Sequence, residues 1–308
     1  MTRPATAAGA AALDEDYHVH SVFSDGASTL AENVQAAAER GLRTLCLVDH
    51  VRSGTCWVAD FVRAVRPLRA RDGIRILTGV EAKILDRAGR LDLPGDLDGI
   101  DLVLIADHQF PGDGGPVDPQ VMRAALAAGE VSPHDVIGCL VTATANAVRT
   151  AAAQSAARQA VPQAAAPRAV PQLAAPAPAP AQSAARPLIA HLFSVLPKMG
   201  LDESQVPDWM LGRLADQARL AGALLEVNEK WGCPSARTVQ AFSGVGVAVV
   251  ASTDSHDCAN VGRYARVRQI LADAADAGGA SRAGAGPGAG SAGPGSAGPG
   301  SARAWTPP

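Results

Sequence analysis

Short, nearly continuous apolar runs recur along the chain at 43–49, 74–81, 100–107, 187–191, 223–228 and 245–253, and a seventh extended segment, 16–20, precedes them. Such runs suit strands buried on both faces, as in a parallel sheet. Helical patterns fall between them. Thr29-Leu30-Ala31-Glu32 has the spacing of a capping box, and Gly41 is placed to end that helix. Residues 204–221 and 235–243 also read as helices. This alternation over about 230 residues predicts an α/β fold, a seven-stranded (β/α) barrel. An open doubly wound sheet is the alternative, but no Gly-x-Gly-x-x-Gly motif supports it.

Two segments break the rhythm. Residues 149–186 are almost entirely Ala, Pro, Gln, Ser and Arg, and Gln-Ser-Ala-Ala-Arg occurs at both 154–158 and 182–186. Residues 277–308 are Gly, Ala, Pro and Ser with Gly-Ser-Ala-Gly-Pro repeated. Neither offers enough apolar surface to offset the entropy of ordering it. The expected organisation is a flexible leader over 1–13, a barrel domain over 14–276 interrupted by a disordered insertion at 149–186, and a disordered tail at 277–308. A helix over 145–160 is the local alternative, because Ala is the best helix former.

Composition narrows the partners. A formal net charge of −3 gives no basic footprint for a long nucleic acid. No run of about 18 apolar residues suggests a membrane span, and residues 1–16 lack the features of a signal peptide. Cys46, Cys56, Cys139, Cys233 and Cys258 are scattered without a Cys-x-x-Cys pair. They read as reduced thiols of a cytoplasmic protein, with Cys46 in the core.

The polar residues fall at strand ends. His18 and His20 are two apart, so in an extended backbone both imidazoles face one way. Asp254 and His256 repeat that spacing near the other end of the chain. His50, Glu81, His108 and His191 close the strands between them, and Glu226 and Asn228 close the sixth. In a barrel the C-terminal strand ends form one rim, where active sites lie. Six of the seven histidines therefore gather there with Glu81 and Asp254; His134 is left in a polar loop. Imidazole with carboxylate and without thiolate suits Zn, Mn or Fe. Eight candidates exceed the needs of one ion, so two or three are expected, with Glu81 as a bridge. Asp49 reads as a ligand or, next to His50, rather as a residue that points away or orients a ligand. Asp25 reads as either a turn residue or a group facing the site. Arg52, Lys83, Lys230 and Arg263 are candidates for holding phosphate, Arg52 and Lys83 because each follows a ligand by two residues.

The set resembles the PHP (polymerase and histidinol phosphatase) family. The matching pieces are Asp16-Tyr17-His18-Val19-His20-Ser21, Ser24-Asp25-Gly26, Val48-Asp49-His50, Gly79-Val80-Glu81, Ala106-Asp107-His108, Ala190-His191, Leu225-Glu226-Val227-Asn228 and Thr253-Asp254-Ser255-His256. The resemblance implies a distorted seven-stranded barrel carrying up to three metals and hydrolysing phosphate esters. It implies His18, His20, His50, Glu81, His108, His191, Asp254 and His256 as metal ligands. The chain looks most like the branch of histidinol phosphatases and stand-alone phosphoesterases. Asp107 departs from that branch, which usually has a small or hydroxyl residue there. No polymerase region follows the barrel, so a polymerase subunit is not expected.

The function expected is hydrolysis of a small phosphomonoester, histidinol phosphate-like, by a metal-bound hydroxide. Asp254, His256 and Glu81 would serve as catalytic groups. A nuclease or other phosphodiesterase acting on short nucleic-acid ends or nucleotides is the second reading. A non-catalytic metal-binding interaction module is the third.

Overall fold

The computed structural model describes residues 13–70, 73–160 and 185–283. In chain order its strands and α-helices are β1 (Glu15–Val19), α1 (Leu30–Glu39), β2 (Thr44–His50), α2 (Val58–Val65), β3 (Arg75–Lys83), β4 (Leu102–Ala106), β5 (Phe110–Gly112), β6 (Gly115–Val117), α3 (Pro119–Ala127), α4 (Pro133–Ala160), β7 (Arg186–Ile189), α5 (Asp208–Leu220), β8 (Leu224–Asn228), α6 (Ala236–Gly244), β9 (Ala248–Ser252) and α7 (Arg266–Ala283). Seven of these strands form one parallel sheet in the order β1-β2-β3-β4-β7-β8-β9. Its two edges meet through a parallel bridge between Val19 and Ser255. There the His20 N–H donates to Ser255 O at 2.8 Å. Asp16 strengthens the seam, accepting from Thr253 Oγ1 at 2.6 Å and from the N–H groups of Thr253 and Gly262 at 2.9 Å each. The result is the distorted (β/α) barrel expected from the apolar runs.

The barrel interior explains why the polar residues end where they do. Its lower part is filled by Cys46, Val48, Leu77, Leu102, Leu104, Ala106, Leu188, Ala190, Leu224 and Val250. On each strand these are alternate positions, because successive side chains take opposite faces. Continuing the alternation toward the strand ends reaches His50, Glu81, His108, Glu226 and Asp254. The metal-type residues are thus the top layer of a barrel whose lower layers are apolar. Gly79 lies on this inner face. A Cβ there would meet Val48 Cγ2 at 2.9 Å, Cys46 Sγ at 3.0 Å and Leu104 Cδ1 at 3.2 Å. Gly79→Ala should over-pack the layer below Glu81 and cost about 1–3 kcal/mol, read as a lower urea midpoint.

The capping box of α1 forms as its sequence predicts, with the Thr29 side chain accepting from Glu32 N–H and the Glu32 carboxylate accepting from Thr29 N–H. Gly41, at φ +71°, follows the helix.

Three expectations are corrected. α4 runs unbroken to Ala160, so residues 149–160 are helix rather than disordered insertion. Ala147, Val148 and Ala151 of α4 are buried in the core, which anchors the Ala-rich stretch. α7 likewise extends through Ala283, past the expected start of the tail at 277. Over 133–158, α4 is also long and apolar enough to cross a membrane by length and composition alone. Its Ile137, Leu140 and Ala143 share a core with Met210 and Leu214 of α5, so that apolar face is covered within the fold. Residues 1–12, 161–184 and 284–308, which hold the rest of the leader, insertion and tail, lie outside the described residues.

Candidate metal centre

Glu81 stands at the centre of the rim, buried, with five imidazoles around its carboxylate. Oε1 lies 2.9 Å from Nε2 of both His108 and His191. Oε2 lies 2.9 Å from His50 Nδ1, 3.3 Å from His18 Nε2 and 3.4 Å from His20 Nε2. Asp254 Oδ1 is 3.4 Å from His20 Nε2 and 3.5 Å from His256 Nδ1. Three groups have ligand atoms close enough to share an ion: His18, His20 and Asp254; His50, Glu81 and His108; and His20, Asp25, His50 and His256. All eight sequence-predicted ligands therefore meet in one place, contributed by five of the seven barrel strands or the residues just after them and by the second residue after β7.

The donor set fits divalent cations. Glu81 Oε2 and His20 Nδ1 are buried without a hydrogen-bond partner. Nε2 of His18 and Nε2 of His20 face each other at 3.0 Å, where only one can carry a proton. Such crowding of lone pairs in a dry site costs free energy that metal coordination removes.

The electrostatics point the same way. Burial would lower His18, yet the carboxylates of Glu226, Glu81 and Asp254 outweigh it and hold the ring well above the ordinary histidine range. His191 is likewise raised against burial, to about 10, by Asp107 and Glu81. Burial dominates at His20 and lowers it to about 4. Burial would raise Glu81 and Asp254, but the surrounding imidazoles, His18 first, hold both carboxyls below their usual range.

Groups behind the ligands fix their orientation. His18 Nδ1 meets Glu226 Oε1 at 2.9 Å, which turns Nε2 to the cluster. His191 Nδ1 meets Ser194 Oγ at 2.9 Å, and that hydroxyl donates to Asp107 Oδ1 at 2.9 Å. Position 191 is out of step with the inward alternation of β7, and a left-handed backbone, φ +28°, accompanies its inward turn. Asp254 also lies in the left-handed region, at φ +53°. Trp231 Nε1 donates to Asp254 Oδ2 at 2.9 Å, leaving Oδ1 toward His20. Asp107→Ala should weaken metal loading about 10–100-fold, measured by competition with a chromophoric chelator; unchanged affinity would show that Asp107 does not orient His191.

Asp25 is the ligand-type residue that the sequence left open. Its Oδ2 lies 3.3 Å from His256 Nε2 and 3.4 Å from His50 Nε2. The signal was Gly26, where a Cβ would lie 2.7 Å from His20 C and Ser21 N, so the turn folds tightly back on β1. Asp49 points away from the cluster and holds this turn, accepting from Ser21 Oγ and Ser24 Oγ at 2.6 Å each. Asn228 holds the next one, its Oδ1 accepting from Trp231 N–H.

The candidate phosphate-holding cations are dispersed. Lys230 Nζ lies 3.3 Å from Asp254 Oδ1 and 3.4 Å from His256 Nδ1. Lys83 Nζ donates to Gln109 Oε1 at 2.8 Å. Arg52 is exposed in the turn after β2, where its backbone N–H donates to Thr55 Oγ1. Arg263 lines a cavity beside His256. Sequence reasoning missed Lys198, whose Nζ sits 4.3 Å over the Trp231 ring. His134 is away from the rim, near Trp209.

The parallel (β/α) barrel carries a histidine and carboxylate rim whose side chains could hold metal ions. Residues 16–143 match the family model of the PHP domain. His191, Asp254 and His256 fall beyond the matched residues and are joined to them by the fold. A probable phosphatase of Caldicellulosiruptor saccharolyticus is 36% identical over 100 residues, 31% of this chain and 42% of the relative. A probable phosphatase of Vibrio vulnificus is 38% identical over 101 residues, 32% of this chain and 41% of the relative. The chain thus matches less than half the length of these curated relatives. The crystal structure of histidinol phosphate phosphatase from Lactococcus lactis, complexed with Zn, L-histidinol and phosphate, superposes with a TM-score of 0.50 at 16% identity. The superposition covers 86% of this chain and 93% of that one, a likeness of fold.

Proposed function

We propose that the protein is a metal-dependent phosphoesterase acting on a small phosphomonoester. The observation that carries this reading is the buried Glu81 carboxylate, shared among five imidazoles with Oε2 unsatisfied. His18, His20, His50, Glu81, His108, His191, Asp254 and His256, with Asp25 added, would hold two or three ions of Zn, Mn or Fe. Bound there, such ions would supply Lewis acidity toward a phosphoryl group and an acidified water. The chain's own groups do the rest. Glu226 and the Ser194–Asp107 pair keep His18 and His191 in the tautomer that presents Nε2. Lys230, beside Asp254 and His256, places a positive charge where a phosphoryl oxygen or leaving group would sit. Asp254 and His256, on the side facing Lys230, are placed to hold or pass the leaving group's proton. A cytoplasmic setting is part of the proposal and is supported by five unpaired cysteines.

Protein loaded with Mn or Zn should release phosphate from members of a phosphomonoester panel that includes histidinol phosphate. No turnover of any member by fully metallated protein would overturn the reading. Faster cleavage of bis-esters would favour a phosphodiesterase instead.

A further inference from the structure

A cavity of about 670 Å³ opens beside Asp254 and His256, between the end of β9 and the start of α7. That volume suits a small-metabolite leaving group. The acids around it are already engaged. Glu229 accepts from the N–H groups of Ala265, Arg266 and Val267 at 3.0, 3.1 and 3.0 Å. Asp257 accepts from Ala259 N–H at 2.8 Å. Asp254 is a cluster carboxylate, held also by Trp231. Of the two cations, Lys230 already pairs with Asp254 Oδ1 at 3.3 Å, and Arg263 is the less engaged. Arg263 is exposed on the cavity wall, and its guanidinium has no partner among the described residues. Lys230 also lines the cavity, and its side chain is 45% exposed. Asn260 adds a neutral amide to the same wall.

We propose that this cavity selects phosphomonoesters whose leaving group carries a second anion, a carboxylate or another phosphate, held by Lys230 and Arg263. The inference rests on the phosphoesterase reading and narrows its substrate class. A planar guanidinium and an ammonium on one wall offer charge-assisted hydrogen bonds to a distal anion. They repel an ammonium in the same place, so the cavity discriminates against aminoalkyl esters such as histidinol phosphate.

The test compares 3-phosphoglycerate and fructose 1,6-bisphosphate with glycerol 3-phosphate, whose leaving group is neutral, and with phosphoethanolamine, whose leaving group is cationic. Expected is a kcat/KM about tenfold higher for the acidic leaving groups than for the neutral one, with phosphoethanolamine lowest. The two acidic esters distinguish carboxylate from phosphate as the distal group. Arg263→Gln, a surface change, should collapse the acidic-to-neutral ratio toward one. Calorimetric binding of 3-phosphonopropanoate against propylphosphonate reads the same preference without turnover. A ratio near one in the wild type, or the same ratio in Arg263→Gln, overturns the inference while leaving the phosphoesterase reading intact. Discriminating binding without turnover of any ester does the reverse. Neither discrimination nor turnover overturns both.

Discussion

Glu81→Gln should reduce phosphomonoester turnover roughly 10³-fold or more, and metal content should fall by at least one ion per chain. A lost ion removes several kcal/mol of transition-state stabilisation, at about 1.36 kcal/mol per tenfold in rate. Among the described residues, Glu81 is the one carboxylate within 3.4 Å of imidazole nitrogens from His18, His20, His50, His108 and His191. An amide of the same size keeps one oxygen but loses the charge and half the lone-pair sites, so it bridges ions poorly. Removing the charge also leaves buried imidazoles without their counter-ion, and breaking a buried pair in this way typically costs about 3–5 kcal/mol. The variant should therefore unfold earlier than the wild type when both are metal-free. Elemental analysis and activity on one preparation check the prediction. Wild-type metal content with lost activity would make Glu81 a catalytic group only; retained activity would remove it from the centre altogether.

Six of the seven sheet strands were legible because each is largely buried on both faces and so reads as an apolar run, whereas β1, Glu15–Val19, was legible from the two-residue spacing of its histidine to His20. Most ligands were legible for the same reason: on β2, β3 and β4 the inward alternation simply continues into His50, Glu81 and His108. His191 is out of step with β7, and its inward turn accompanies a left-handed backbone that no spacing rule reports. The hairpin of β5 and β6 escaped notice because three-residue strands show no period. The last part of α4, residues 149–160, hid inside a low-complexity stretch, where composition suggests disorder and the packing of Ala151 against the core shows otherwise. Asp25, Lys198 and Trp231 sit on loops whose paths are set by long-range contacts, such as the approach of Gly26 to His20. Arg52 shows the limit of the two-residue rule, because β2 ends at His50 and the alternation ends with it.

Removal of the metals should lower the unfolding midpoint by about 15–30 °C at pH 8. An ion present at about a thousand times its dissociation constant stabilises by about 4 kcal/mol. In a domain of this size each kcal/mol moves the midpoint by roughly 2–4 °C, and at least two ions are expected. The pH dependence has a definite sign. In the metal-free barrel His18 and His191 are raised, the latter to about 10. A raised histidine contributes stability that is full below its unfolded value near 6.5 and lost as pH climbs through the folded value. Glu81 and Asp254 are lowered, so their contribution is present above the usual carboxylate range and fades as pH falls through their folded values. The metal-free form is therefore steadiest at about pH 5–6, where imidazolium and carboxylate pair. Metal loading runs the opposite way, because ligand histidines must release those protons before they can coordinate. The gap between metal-loaded and chelated midpoints should be small near pH 5.5 and large near pH 8.5, read by calorimetric scans with and without chelator. An equal gap at both pH values would show that the raised histidines do not bind the metal.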